Sequence, residues 1–264
     1  MGNQASSPKS GAKLQVIGAG LPRTGTASFG EALRILLKGP VYHGGTQVTM
    51  GTEIEILSCI KLLSHFPPQN ASEKKLIFDI FKQRYVGYVA VTDMPAAGLV
   101  EELVKIYPDA IIICTTRSPD SWVKNMESVQ NAATMGFLRF ILFPIPGMRH
   151  FVNYINLLRK QWVYLYGEQE PVTSKSYYNH IAYLKRVVPP ERLVFYDIKD
   201  GWEPLCKALG KEIPKHIEFP RINDSEAIDR LAKKKVMKGL TRWLMILATL
   251  GIPFISYALW KKQS

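Results

Sequence analysis

Short apolar runs alternate along the chain with stretches whose apolar residues follow helical spacing. Phe29, Ala32, Leu33 and Leu36, for example, predict an amphipathic helix over Ala27–Leu37. The apolar run that begins at Leu14 predicts a first buried strand. Further strands are predicted at Tyr88–Thr92, Ala110–Thr115 and Leu193–Tyr196. Further helices are predicted at Glu53–Leu63, Leu99–Ile106, Ser121–Val129 and Gly201–Leu209. Strands that alternate with helices predict an α/β fold with a central parallel sheet and helices on both faces.

The first strand leads into a glycine-rich loop and then a helix, within Leu14–Phe29 (LQVIGAGLPRTGTASF). Free backbone amides and the helix dipole favour an anion at such a junction, typically a phosphate. The nucleoside-triphosphate loop G-x-x-x-x-G-K-[ST] fits here at its two glycines, but Thr26 stands in place of its lysine. The dinucleotide pattern G-x-G-x-x-G fits at two glycines, but Arg23 stands in place of the third. The sequence therefore predicts a phosphate-binding loop of another kind.

Two further polar residues follow predicted strands directly. Asp93 comes after the strand Tyr88–Thr92, and Arg117 comes shortly after the strand Ala110–Thr115. Ligands of open parallel sheets bind beyond the carboxyl ends of the strands. We therefore expect Asp93 and Arg117 to lie near the glycine-rich loop.

The net charge of +12 is concentrated at the C-terminus. Seven Lys or Arg and no acidic residue lie from Lys233 onward, and they account for seven of the twelve net positive charges. This distribution is typical of a membrane flank and does not indicate nucleic-acid binding. The three cysteines are isolated and lack metal-ligand spacing, which predicts reduced thiols in a cytosolic setting.

The last part of the chain is apolar enough to suggest a membrane anchor. Trp243–Trp260 has no charged residue and a tryptophan at each end, five basic residues precede it and two follow. Its 18 residues would span roughly 27 Å, close to the hydrocarbon thickness of a bilayer. We expect a transmembrane helix with the large domain on the cytosolic side of the membrane. A buried C-terminal helix is the alternative.

Four other segments complete the predicted organisation. Residues 1–12 form a flexible leader whose Gly2 fits the N-myristoylation pattern M-G-x-x-x-[ST]. Residues 13–232 form the α/β domain, and residues 233–242 form a basic flank before the membrane helix at residues 243–260. Within the domain, residues 135–165 are strongly apolar but interrupted by arginine and proline, so they predict either a helical lid or a segment that faces the membrane.

The loop Pro22–Thr26 (PRTGT) resembles the 5′-phosphosulfate loop of the P-loop sulfotransferases, in the branch that reads L-P-R-T-G-T. Other motifs of that branch follow in the expected order: Val41–His43, Asp93–Pro95, Glu102–Leu103, Tyr107–Pro108 with Ala110, Arg117–Trp122, Gly201–Cys206, Leu209–Gly210 and Phe219–Asp224. Each motif is weak alone, but the ordered set covers most of the chain from about Leu14 to about Asp224. The resemblance implies a sulfotransferase whose donor is 3′-phosphoadenosine 5′-phosphosulfate (PAPS) and which requires no metal.

The resemblance also implies how the donor is held. Arg23 would stabilise the charge that builds on the departing bisphosphate, by electrostatics only, because a guanidinium does not give up its proton. Arg117 and, in place of the family's serine, Asn125 would hold the 3′-phosphate. The 5′-phosphate would be held by the loop and the first helical turn, namely Pro22, Arg23, Thr24, Gly25, Thr26, Ala27 and Ser28.

The acceptor, a hydroxyl or amine of a small and lipophilic molecule, needs a general base. Asp93 is the first candidate, since the resemblance suggests that the aspartate of D-x-P takes the proton in this branch. His43 is the second, since histidine is the base in better-known sulfotransferases. Two other functions stay open: a P-loop kinase or NTPase, and a catalytically degenerate nucleotide-binding scaffold.

Overall fold

The computed structural model describes residues 4–133, 136–222 and 224–263, with side chains described except at 128, 131–133, 224, 225 and 251–263. Gly2, the predicted acylation site, lies outside the described residues.

Five parallel strands form one sheet in the order β2-β3-β1-β4-β5. They are β1 (Val16–Gly18), β2 (Val41–His43), β3 (Ala90–Thr92), β4 (Ile111–Thr116) and β5 (Leu193–Asp197). From β1 the chain goes to one edge of the sheet and back, and then continues on the other side. The winding direction therefore changes at β1, and the carboxyl end of such a strand is where ligands of these sheets bind. The predicted parallel sheet is confirmed.

Helices pack on both faces of the sheet, as expected from the alternation of elements. They are α1 (Thr26–Leu37), α2 (Gly44–Met50), α3 (Glu53–Ser64), α4 (Ala71–Tyr85), α5 (Val100–Ile106), α6 (Pro119–Ala133), α7 (Leu138–Leu142), α8 (Phe151–Tyr166), α9 (Ser174–Val187), α10 (Trp202–Leu209) and α11 (Asp224–Gln263). Short 3₁₀ turns join some of them, at Ala96–Gly98, Met148–His150, Pro190–Arg192 and Ile198–Asp200.

The strands divide their side chains between two apolar clusters, because successive residues of a strand point to opposite faces. Ile17, Val91 and Ile112 share one row of the sheet and pack under α3, α4, α5, α8 and α9. Val16, Ala90 and Ile113 point the other way and pack against α1 and α10. Both faces are therefore covered, which explains why these short strands read as continuous apolar runs.

All three thiols are buried and free. Burial raises the pKa of Cys59 and of Cys114 to about 12. Both thiols are therefore protonated at neutral pH and poor nucleophiles.

The leader packs on the body from residue 4 onward. The Ser6 hydroxyl donates to the carbonyl of Val41 at 2.5 Å, and the Ser6 carbonyl accepts from Gln47 Nε2 at 2.7 Å and from the Tyr88 hydroxyl at 2.8 Å. The Lys9 amide donates to the Gly87 carbonyl at 2.8 Å. The polar composition that suggests a flexible tail thus supplies hydrogen bonds to the start of β2 and to the turn before β3.

Helix α11 runs continuously from Asp224 through the basic flank and the apolar segment. No helix in the described part of the chain is long and apolar enough to cross a membrane. The transmembrane helix expected at Trp243–Trp260 is therefore not supported. Its side chains are described only for Trp243–Leu250, a stretch of about 12 Å at 1.5 Å per residue; the side chains of residues 251–260 lie outside the described set.

Candidate active site

The glycine-rich loop joins the carboxyl end of β1 to the start of α1. Arg23 and Gly25 both have positive φ, 70° and 94°, which turns the loop so that it enters the helix abruptly. Gly25 is the residue before α1 and has no side chain to cap the helix. The amides of the first turn of α1 are thus capped by no side chain, and the helix dipole adds to their attraction for an anion.

Thr24 holds this loop in shape from inside. Its hydroxyl donates to the Leu21 carbonyl at 2.7 Å and lies 2.6 Å from the Thr115 hydroxyl, and its amide also donates to Leu21. A Cβ on Gly20 would lie 1.9 Å from Thr115 Oγ1, so a larger residue does not fit there. Thr24, predicted to hold the 5′-phosphate, therefore uses its polar groups within the protein.

The segment after β4 clamps the loop through two backbone carbonyls. Trp122, which is fully buried, donates from Nε1 to the Pro22 carbonyl at 2.9 Å. Arg117 donates from Nη1 to the Arg23 carbonyl at 2.9 Å. The structure thus brings Arg117 to the loop as expected. It also gives the tryptophan of the Arg117–Trp122 motif a role that sequence reasoning had not assigned.

A buried histidine fixes the start of the loop. His180 on α9 lies 2.7 Å from the Ala19 carbonyl through Nε2 and 2.8 Å from the Tyr166 hydroxyl through Nδ1. Burial lowers the pKa of His180 to about 4, so the ring is neutral at physiological pH. A neutral ring that donates to a carbonyl from Nε2 must accept the Tyr166 proton at Nδ1. No sequence motif marked His180; only its contact with the loop reveals it.

Asp93 and His43 lie together at the ends of β3 and β2. Asp93 Oδ2 accepts from the Gly45 amide at 3.2 Å and lies 3.8 Å from His43 Nδ1. Asp93 Oδ1 is buried and has no hydrogen-bond partner among the described residues. Asp93 also has a φ of 72°, a backbone conformation that residues other than glycine rarely adopt. Such a strained carboxylate with one unused oxygen is typical of functional sites.

The ring of His43 is oriented by its neighbours. Its Nδ1 accepts from the Thr46 amide at 3.3 Å, and its Nε2 lies 3.3 Å from the Thr26 hydroxyl. Because Nδ1 accepts an amide proton, the neutral ring carries its own proton on Nε2. His43 therefore bridges the phosphate loop and α2.

Ser28 and Asn125 use polar groups within the protein. The Ser28 hydroxyl accepts from the Ile222 amide at 2.9 Å, which ties the C-terminal motif to the first turn of α1. The Asn125 side-chain amide donates to the Ser121 carbonyl, one turn back on α6, at 2.5 Å.

A cavity of about 990 Å³ opens in front of the loop. Of the predicted site residues, Pro22, Arg23, Thr26, Ala27, His43 and Asp93 line it, whereas Thr24, Gly25, Ser28, Arg117 and Asn125 are not among its described lining residues. The rest of the lining is mostly apolar and comes largely from α2, α6, α8 and the first turns of α11: Val48, Met50, Met126, Phe151, Tyr154, Ile155, Leu158, Ile228 and Leu231. Charged residues also line it, namely Arg159, Lys160, Glu168, Glu170, Arg230 and Lys234. One cavity is therefore lined by the glycine-rich loop, by a carboxylate and by a largely apolar set of side chains.

Comparison with known proteins agrees with this arrangement. A family model described as a sulfotransferase domain matches residues 15–228. The "Ava biosynthesis cluster protein M" of Aspergillus versicolor is 28% identical over 237 residues, which cover 87% of each chain. The match begins just before β1 and ends in the first turns of α11, so it contains the loop, Asp93, Arg117 and most of the residues that line the cavity. The chain belongs to the sulfotransferase family.

Proposed function

We propose that the protein transfers a sulfuryl group from PAPS to a hydroxyl or amine of a small apolar molecule. The observation that carries this proposal is that the loop and Asp93 line one cavity whose remaining lining is mostly apolar. An anion and an apolar acceptor can meet there next to a potential base. Membership of the sulfotransferase family supports the reaction class.

On the donor side, the chain offers a cation and uncapped amides. Sulfuryl transfer has a loose, in-line transition state like that of phosphoryl transfer, so charge builds on the departing bisphosphate. Arg23 is buried in the loop, and fixed charges in a site shielded from water stabilise such a transition state most effectively. Arg117, beside the loop, would hold the 3′-phosphate; Asn125 would join it by releasing the bond to Ser121.

Geometry favours Asp93 over His43 as the general base. A base must have a free lone pair that can reach the acceptor proton. Asp93 lines the cavity, and its buried Oδ1 has no hydrogen-bond partner among the described residues, so a rotation of the side chain would present this oxygen to the acceptor. His43 Nδ1, in contrast, accepts the Thr46 amide, and Nε2 carries the ring proton. We assign His43 to the positioning of Thr26 and α2, where its Nε2–H donates to the Thr26 hydroxyl.

The acceptor chamber selects apolar molecules by burial. Its aliphatic and aromatic walls on α8 and α2 would release water when an apolar molecule binds. The relative from Aspergillus versicolor is named for a biosynthesis cluster, which is consistent with a small-molecule acceptor.

The test is ligand-dependent thermal stability of the full chain with adenosine 3′,5′-bisphosphate, ATP with Mg²⁺, and NAD. A ligand at 100 times its dissociation constant stabilises the fold by about 2.7 kcal/mol, which is a clear shift. We expect stabilisation by the bisphosphate alone, lost in Arg117→Ala and kept in Arg34→Ala, which changes an exposed arginine near the C-terminal end of α1. Transfer from labelled PAPS to a panel of phenols and apolar alcohols then identifies the acceptor.

A response to ATP with Mg²⁺ alone would contradict the proposal and indicate a P-loop kinase. Bisphosphate binding without transfer to any acceptor would indicate a nucleotide-binding scaffold.

A further inference from the structure

Three phenylalanines on one side of α7 and its flanks lie open to solvent. Phe137, Phe140 and Phe143 are 57%, 64% and 58% exposed. The other side of the same short helix is buried, since Leu138 and Leu142 pack with Ile145 and Met148. Three adjacent exposed aromatic side chains form a patch that soluble surfaces rarely carry without a partner.

Helix α11 extends this patch. Trp243 stacks on Phe140 with ring centroids 4.5 Å apart, and it also stacks on Phe143 at 6.3 Å. Beyond Trp243, Leu244, Leu247 and Leu250 are each more than 60% exposed. We call the patch formed by Phe137, Phe140, Phe143, Trp243, Leu244 and Leu247 the aromatic platform.

The aromatic platform is held firmly together. Trp243 Nε1 donates to the Phe140 carbonyl at 2.8 Å, and Arg242 donates to the Pro144 carbonyl at 2.8 Å. The helices approach so closely at Gly239 that a Cβ there would lie 2.2 Å from the Ile141 carbonyl oxygen. The exposed rings are therefore fixed on a defined surface.

The two segments that carry the aromatic platform are basic, although two of their arginines pair with acidic residues from elsewhere, Arg149 with Glu53 and Arg159 with Glu170. Residues 135–166 and 233–264 contain no Asp or Glu, whereas they contain Arg139, Arg149, Arg159, Lys160 and the seven basic residues of the C-terminal region. Burial, and then the charges of Lys238 and Lys234, lower the pKa of Lys235, which reflects how closely these cations lie. Apolar rings surrounded by cations match the two layers of an anionic lipid surface, the acyl chains and the headgroups.

We propose that the aromatic platform docks this enzyme on the surface of an anionic lipid bilayer, with the rings at the level of the upper acyl chains and the basic residues on the headgroups. A second copy of the chain fits less well, because the segments of two such surfaces would bring mainly positive charges together. The cytosolic leaflet carries the anionic lipids that such a surface needs.

Docking would also place the active-site cavity beside the membrane. The first turns of α11 line the cavity through Ile228, Leu231 and Lys234, and the same helix carries Trp243 and Leu244 to the aromatic platform. This part rests on the proposed function: an apolar acceptor dissolved in the bilayer would have a short path to the apolar chamber.

The test is sedimentation of the full chain with phosphatidylcholine vesicles, with and without phosphatidylserine. We expect binding that needs phosphatidylserine, falls with added salt, and is weakened about tenfold or more in Phe137→Ser/Phe140→Ser/Phe143→Ser. The matched control is Val86→Ser/Ile213→Ser, which removes exposed apolar side chains elsewhere and should bind as the parent does. Thermal melting and the bisphosphate-induced shift of each variant show that it is folded and that its donor site is intact.

Unchanged sedimentation of the triple variant would overturn the proposal and assign binding to the C-terminal apolar sequence. Self-association without vesicle binding would overturn it in favour of a second copy. Vesicle binding without any bisphosphate shift would leave the docking proposal standing and count against the proposed function alone.

Discussion

At the scale of single residues, the backbone of Asp93 is the clearest sign of function. Its φ of 72° carries a conformational cost of about 1–3 kcal/mol, which the surrounding β3 and α2 must offset. In return, one carboxylate oxygen is fixed by the Gly45 amide, and the other lacks a hydrogen-bond partner among the described residues. Backbone strain of this kind is typical of functional residues, which fits a role of the second oxygen in the reaction.

The first prediction concerns Asp93→Asn. The amide keeps the size of the side chain but cannot accept a proton, so we expect kcat to fall by about 10²-fold or more while the bisphosphate still binds. His43→Gln, which keeps a hydrogen-bond donor near Thr26, should have a smaller effect. The measurement is transfer from labelled PAPS over a range of pH. A larger loss in His43→Gln than in Asp93→Asn would reverse the assignment.

A second prediction concerns the packing of the loop at Gly20. In Gly20→Ala, the new methyl would lie 1.9 Å from Thr115 Oγ1 and 2.9 Å from Thr24 Oγ1, so we expect a loss of about 1–3 kcal/mol in the free energy of unfolding and weaker bisphosphate binding. Gly136→Ala is the control, because a Cβ there meets nothing within 4 Å. Denaturant titration measures both. Equal free energies of unfolding for the two variants would contradict the prediction and mean that the loop adjusts to the new methyl group.

Residue roles could be predicted only where chemistry shows in the residue type. The resemblance to the sulfotransferases implies Arg23, Asp93 and His43, and the place of Asp93 after a strand points to it as well; the structure puts all three on one cavity. Thr24 and Ser28 look like phosphate ligands in the sequence, but their hydroxyls bond Leu21, Thr115 and Ile222. Such choices depend on which groups approach from distant parts of the chain, and no local pattern records them.

At the scale of elements, helix α9 supports the start of the glycine-rich loop through the hydrogen bond from His180 to the Ala19 carbonyl. The apolar spacing of strands and flanking helices was enough to predict the parallel sheet, because burial on both faces leaves a direct mark on composition. The contact from His180 to Ala19 spans 161 positions and leaves no such mark. Helix α11 is a different case: its charge-free segment predicts a membrane span, which the described part of the chain does not support, and Trp243 at the start of that segment packs on α7.

The third prediction is a pH dependence of stability due to His180. Its pKa is about 4 in the folded chain and about 6.5 when unfolded, so the unfolded state binds the extra proton between those values. The free energy of unfolding should therefore be largest above pH 6.5 and fall by about 3 kcal/mol as the pH drops towards 4.

Denaturant titrations from pH 4 to pH 8 measure this slope. His180→Gln removes the titrating group, so the difference between parent and variant isolates its contribution. His216→Gln, which changes an exposed histidine, is the control. A parallel pH profile for parent and His180→Gln would contradict the prediction.

At the scale of the whole molecule, the leader acts as an additional strap across one edge of the sheet. Ser6 bonds groups from β2, α2 and the turn before β3, so the N-terminal segment adds hydrogen bonds to elements that already pack together. The sequence suggested a flexible tail because its residues are small and polar. The same residues are also suited to bonding exposed backbone carbonyls.

The fourth prediction tests this strap. Ser6→Ala leaves the Val41 carbonyl without the hydroxyl donor, and we expect a loss of about 1 kcal/mol in the free energy of unfolding. Ser7→Ala, at an exposed neighbouring position, should have no effect. Thermal melting compares the two variants. If both melt as the parent does, the contacts of Ser6 contribute little to stability.

The bond from Arg117 to the Arg23 carbonyl has a consequence for selectivity. Under the proposed function, Arg117 binds the 3′-phosphate and Arg23 binds the opposite end of the donor. The hydrogen bond between the two residues connects these two sites. Occupancy at one end then biases the geometry at the other, so the two phosphates should bind cooperatively. A nucleotide with a single phosphate would lack both the contact of the second phosphate and the coupling between the two sites. Adenosine 5′-monophosphate should therefore bind more weakly than the bisphosphate by more than the binding free energy of one phosphate contact.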